Sequence, residues 1–140
     1  MREAFLAIDD KKIMLLVLLY LSSAFDSVDH TILAQRLRVC GINGKVHNWI
    51  MSYLSNRTQA VVIDGCVSDK VSLTCGVPQG SVLGPLLFII YLTGLNDVIS
   101  QYNILYTLYA DDLQLYATTT LSQLPFVILQ MQNCVSAVKE

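Results

Sequence analysis

The sequence predicts an α+β fold, with helices covering one face of a mainly antiparallel sheet. Three observations predict it. An apolar run of nine residues near the N-terminus, "IMLLVLLYL", has the length of a strand and not of a membrane span. Two later stretches, "TQAVVIDGCVSDKVSLTCG" and "LYTLYADDLQLYATTT", each place a turn-forming pair, Asp64-Gly65 or Asp111-Asp112, inside a run of strand formers. The remaining segments carry apolar residues at helical spacing.

Residues 13–21 read as a buried central strand that ends at the polar break Ser22-Ser23. Asp29 is placed to cap a helix over about 30–40, with Ile32, Leu33, Leu37 and Cys40 inward and Gly41 at its end. From Gly44, the set Val46, Trp49, Ile50, Tyr53 and Leu54 predicts an amphipathic helix with those residues on its buried face. A hairpin turning at Asp64-Gly65 follows. The loop "GVPQGSVLGP" then delivers Pro85 to the first turn of a helix over about 86–100. Strands over 104–109 and 113–117 flank the two aspartates. The stripe Leu124, Ile128, Met131, Val135 and Val138 marks a closing, core-facing helix.

The composition sets limits on function. Of 140 residues, 54% are hydrophobic and only 14% charged, more apolar and less charged than soluble domains usually are. Such a chain needs either very efficient burial or a partner that covers its surplus, and self-association of the isolated chain is expected. A net charge of −2 shows no basic footprint for nucleic acid. Asp9, Asp10, Lys11 and Lys12 precede the first apolar run, so a secretory leader is not expected. Neither membrane insertion nor secretion is expected, and the four cysteines, lacking ligand spacing, are expected as free thiols inside the cell.

Two adjacent carboxylates are costly unless something offsets their charge. Asp111 and Asp112 therefore mark either a solvated turn or a metal site at a hairpin tip. A resemblance bears on the choice. "SSAFDSVDHTIL", "GVPQGSVLGPLLFIIYL" and "LYADDLQLY" resemble, in order and spacing, the reverse transcriptases of LINE-type (non-LTR) retrotransposons. The likeness extends through "GINGKVHNWIMSYLSNRTQAVVI" and covers about residues 13–118.

This resemblance implies the palm of a right-hand polymerase and residues 1–140 as a single partial domain, palm with part of the fingers and without the thumb. It implies an RNA-directed DNA polymerase that takes an RNA template, a DNA primer and deoxynucleotides, with two Mg²⁺ ions for nucleotidyl transfer. Asp111 and Asp112 correspond to catalytic metal ligands. Ser23, Ala24 and Phe25 correspond to nucleotide-binding positions, where backbone amides reach the triphosphate and the Phe25 ring excludes a 2′-hydroxyl. Gln79 and Gly80 correspond to positions near the template base and the nascent pair, and Tyr109 to one beside the primer end. Asp26 and Asp29 are expected to cap or bond locally, and His30 and His47 to be structural.

One residue departs from the pattern. Tyr20 in "LLYLSSAFD" stands where the family carries its first metal-binding aspartate. A phenol is neutral at pH 7 and offers a divalent ion little. Tyr20 is expected on a strand beside the Asp111–Asp112 hairpin, its side chain toward the carboxylates. Metal binding is therefore expected to be impaired and this copy inactive. A non-catalytic relic that binds nucleic acid or protein is the second reading, and a metal-dependent phosphohydrolase the third.

Overall fold

A computed structural model describes residues 12–21 and 23–139. Ser22 and the charged residues Asp9, Asp10 and Lys11 lie outside them. The described residues form two compact units, one of residues 12–21 with 94–139 and one of residues 23–93.

The first unit is a three-stranded antiparallel sheet. Strand β1 (Ile13–Tyr20) and strand β6 (Leu105–Tyr109) flank β7 (Asp112–Thr119). β1 is thus an edge of this sheet and not the central strand its continuous apolar run suggested. The alternation decides which side chains are covered: Leu15, Val17 and Leu19 turn to the core, while Leu16 and Leu18 stay exposed. On the covered face, Leu113 and Leu115 meet Ile99, Ile104, Met131 and Cys134. These come from α4 (Gly94–Ile99), the residue that precedes β6, and α5 (Leu124–Lys139). On α5 the inward stripe is rotated from the expected one. Met131 and Cys134 are buried with Val135 and Val138 packed beside them, and Ile128 lies outside. Burial in this core holds the Cys134 thiol above its usual range.

In the second unit, α1 (His30–Val39) packs on α2 (Gly44–Leu54) and on α3 (Gly84–Tyr91). Asp29 caps α1 as expected, accepting from the amides of Thr31 at 2.7 Å and Ile32 at 3.0 Å. Those bonds hold its carboxyl below the usual carboxylate value. Only Leu33 and Leu37 of α1 are buried; Ile32 and Cys40 are exposed. On α2 the buried face is His47, Ile50 and Leu54, while Val46 and Trp49 face outward.

The hairpin turns at Asp64 (φ +49°) and Gly65 (φ +83°), a pair of left-handed residues that matches strand twist. It joins β3 (Val62–Ile63) to β4 (Cys66–Val67) and extends into β2 (Thr58–Gln59) paired with β5 (Val71–Ser72). The single helix expected over 86–100 is two. Pro85 starts α3, which stops at Leu92, where Thr93 Oγ1 donates to the Ile90 carbonyl at 2.7 Å and competes with the helix bonds. α4 then begins at Gly94 in the first unit.

The mix of helices and antiparallel sheets is that of an α+β palm fragment. Among the described residues, no helix is long and apolar enough to cross a membrane. The four cysteines are free thiols.

Candidate functional site

The first unit brings Tyr20, Tyr109, Asp111 and Asp112 to one end of its sheet. β6 and β7 are joined by a two-residue turn, Ala110-Asp111, in which Ala110 takes φ +51°. A side chain in that region is strained, so the surrounding ladder has to impose it. The Leu21 amide donates to the Asp111 carbonyl at 2.9 Å and ties the turn to the end of β1. Asp112 is then the first residue of β7, paired directly with Tyr20 on one side and Tyr109 on the other.

Direct cross-strand partners share a face. Tyr20, Asp112 and Tyr109 therefore form one row on the uncovered side, the two tyrosines 67% and 79% exposed. Both aspartates were expected at the hairpin tip. Only Asp111 is in the turn, and Asp112 belongs to the strand because two central residues suffice to close a hairpin.

Tyr20 faces Asp112 across the ladder. Hydrogen bonding toward the Asp111 carboxyl raises its phenol above the ordinary value of 10.0. The charges of Asp111 and then Asp112 act in the same direction, because both oppose a phenolate.

This donor set does not suit two Mg²⁺ ions. A hard cation of that kind takes carboxylates, waters and phosphates. Here the β6–β7 hairpin contributes two carboxylates, one from its turn and one from β7, and the neighbouring strand a phenol. Among the described residues, no group of three or more His, Cys, Asp or Glu side chains could hold a metal ion.

The second unit assembles the other predicted positions. Ser23 takes φ +56° and its carbonyl accepts from the amides of Asp26 and Ser27, both at 2.9 Å, so the chain turns sharply here. Ala24 is buried. The Phe25 ring stacks on Phe88 of α3, centroids 4.7 Å apart at 29°. Gln79 and Gly80 sit in an exposed turn; Gly80 has φ +74°, and a Cβ there would meet nothing. Gly80 is thus required within this chain for its backbone conformation alone.

The contacts that pin this turn were not expected from the sequence. Gln79 Nε2 donates to both carboxylate oxygens of Asp26, each at 3.1 Å, a bond across 53 residues and not the local one expected. Asp29 and Cys75 form a bridge, the Gly76 amide donates to the Val28 carbonyl at 2.8 Å, and the Val77 amide to the Phe25 carbonyl at 2.8 Å. The stretch 75–77 therefore runs antiparallel to 25–29. Gly76 has φ +82°, and a Cβ there would lie 2.8 Å from the Asp26 carbonyl oxygen. Its own carbonyl is met by His30 Nε2 at 2.8 Å and by Arg57 Nη1 at 3.0 Å. The one sequence signal for this was a glycine immediately before "VPQG".

The chain matches the family described as reverse transcriptase (RNA-dependent DNA polymerase) over residues 4–140. It is 35% identical over 85 residues to the retrovirus-related Pol polyprotein from type-1 retrotransposable element R2 of Popillia japonica, covering 58% of this chain and 14% of that protein. It is 32% identical over 105 residues to the RNA-directed DNA polymerase from mobile element jockey of Drosophila funebris, covering 71% and 11%. A third relative, the probable RNA-directed DNA polymerase from transposon X-element of Drosophila melanogaster, is 35% identical over 85 residues, covering 61% and 9%. The chain therefore spans a small part of the length of the curated relatives it matches.

Proposed function

The chain belongs to the reverse transcriptase (RNA-dependent DNA polymerase) family, and from that membership we propose that it is the palm, with part of the fingers, of a non-LTR retrotransposon polymerase whose catalytic centre is disabled. Its relatives are named as polymerases or Pol polyproteins of such elements, which supports the class of reaction: RNA-templated addition of deoxynucleotides to a DNA primer. On this reading the protein acts inside the cell.

We assign roles to the predicted residues as follows. Asp111 and Asp112 are the remaining carboxylates of the metal centre, and Tyr109 lies along the primer end. The backbone around Ser23 and Ala24 meets the triphosphate, the Phe25 ring restricts the sugar, and Gln79 with Gly80 faces the nascent base pair. The stacking of Phe25 on Phe88 supports its share of this, because a ring held on one face can exclude a bulkier sugar on another. Reverse transcriptases as a class depend on divalent metal; when bound, two Mg²⁺ ions would activate the primer hydroxyl and stabilise the leaving phosphate. No catalytic step follows for this chain, because its donor set falls short.

The observation that carries the proposal is the register pairing of Tyr20 with Asp112, which puts a phenol where the second strand would supply a carboxylate. The test is a chimera in which this chain replaces the matching stretch of a full-length relative. With Tyr20 it is expected to leave a primed RNA template unextended, and Tyr20→Asp is expected to restore Mg²⁺-dependent extension by orders of magnitude. Adding Asp111→Ala should abolish it again. Equal extension with Tyr20 and with Tyr20→Asp would refute the assignment.

A further inference from the structure

We propose that the outer face of α2, together with the end of α1, is a docking surface for a single nucleic-acid strand. The proposal extends the nucleic-acid reading above but is carried by residues that reading does not use.

The charge of the chain is segregated in a way its net value of −2 conceals. From His30 to Ile63 there is no Asp or Glu, while Arg36, Arg38, Lys45 and Arg57 fall inside the window. All eleven acidic residues lie outside it. Arg57 is engaged with the Gly76 carbonyl, but Arg38 and Lys45 are exposed. Arg38 closes α1 and Lys45 opens α2, and only the short turn 40–43 separates the two helices.

α2 turns His47, Ile50 and Leu54 inward, with His47 Nε2 bonded to the Ala34 carbonyl of α1 at 3.2 Å. Residues four apart lie one above another on a helix, so Lys45, Trp49 and Tyr53 line a different stripe. The Trp49 and Tyr53 rings stack, centroids 6.1 Å apart and 13° from parallel. Trp49 is the chain's single tryptophan and is 57% exposed, so the core leaves it largely uncovered. An exposed ring four residues along the helix from Lys45, in a sequence window without anions, fits a strand whose bases stack on it and whose phosphates meet Arg38 and Lys45. An acidic carboxylate-rich partner would find the cations but would make no use of the stacked rings.

Trp49 also supplies the test. The full chain is titrated with labelled oligo(dT) or oligo(U), following oligonucleotide anisotropy and tryptophan emission together. The proposal expects emission to be quenched in step with the anisotropy. Trp49→Leu is expected to weaken binding roughly tenfold or more. Arg38→Gln and Lys45→Gln should each lower the slope of log affinity against log salt by about 0.7. All three side chains lie on the surface, and circular dichroism of the variants confirms that they fold. Binding seen by anisotropy, with emission and all three variants unmoved, would overturn the proposal and leave the polymerase reading intact. No binding at low salt would also overturn it, the polymerase reading being judged separately by the chimera. Quenching by a poly-glutamate peptide, but not by either oligonucleotide, would make this a protein-docking face and refute the proposal.

Discussion

The Tyr20–Asp112–Tyr109 row of the sheet unit and the Asp26–Gln79 turn of the 23–93 unit are both positioned by antiparallel backbone pairing, yet they differ in what their side chains supply. In the sheet unit the register is regular over all of β1 and β7, and the position facing Asp112 holds a phenol where the proposed function calls for a carboxylate. In the second unit the pairing is brief and irregular, but each predicted residue is present and held. Gln79 is bound by Asp26, the Phe25 ring by Phe88, and the Gly76 carbonyl by two donors. On the proposed function, a scaffold can outlast its chemistry: a phenol in place of a carboxylate on a well-paired strand would remove a ligand without disturbing the register that aims it.

The two units should also differ in where they break. The largest stability effect is expected at Gly76→Ala in the second unit. Its left-handed backbone and the 2.8 Å approach of a Cβ to the Asp26 carbonyl oxygen together should cost about 2–4 kcal/mol, read by urea denaturation. Gly80→Ala meets open space and bears only the conformational cost, so about 1–2 kcal/mol is expected. A Gly80 variant as damaging as the Gly76 one would mean that steric contact is not what distinguishes them.

In the sheet unit, the turn at Ala110 offers a change of opposite sign. Ala110→Gly relieves a side chain at φ +51° and should stabilise the hairpin by several tenths of a kcal/mol, after the extra flexibility of the unfolded chain is counted. A smaller effect is expected from pH. The Tyr20 phenol is raised in the folded state by its bond to Asp111, so the folded chain binds that proton more tightly than the unfolded one. The stabilisation is complete below pH 10.0 and lost as pH rises through the folded value. Melting temperatures of the wild type should therefore fall more steeply above pH 10.0 than those of Tyr20→Phe. Parallel curves would deny the phenol its partner.

Both units leave apolar surface uncovered, Leu16 and Leu18 in the sheet and Val62, Ile63 and Val67 in the hairpin. The isolated chain is expected to self-associate, and sedimentation as a clean monomer at tens of micromolar would contradict that.

Local signals were legible wherever one short stretch carried them. Asp29 capped its helix, Asp64-Gly65 turned its hairpin, and motif order put Tyr20 beside the aspartates. What was not legible depended on residues far apart in the chain. No local rule joins Asp26 to Gln79, or says that Gly76 must pass against the Asp26 backbone. Helical spacing likewise showed that α2 has a buried face but set it too wide, since packing covers Ile50 and Leu54 and not Val46 or Trp49. The strand β1 misled for a related reason: a run apolar on both faces implies two-sided burial, and the sheet covers one side.

The central claim is that Tyr20 alone separates this paired scaffold from a metal-binding one. Its most direct measurement is the binding of Mn²⁺, a paramagnetic substitute for Mg²⁺, to the chain and to Tyr20→Asp, followed by electron paramagnetic resonance without any nucleic acid present. The account predicts no saturable binding by the chain and saturable binding by Tyr20→Asp that is lost again when Asp111→Ala is added. Equal, saturable Mn²⁺ binding by the chain and by Tyr20→Asp would contradict it.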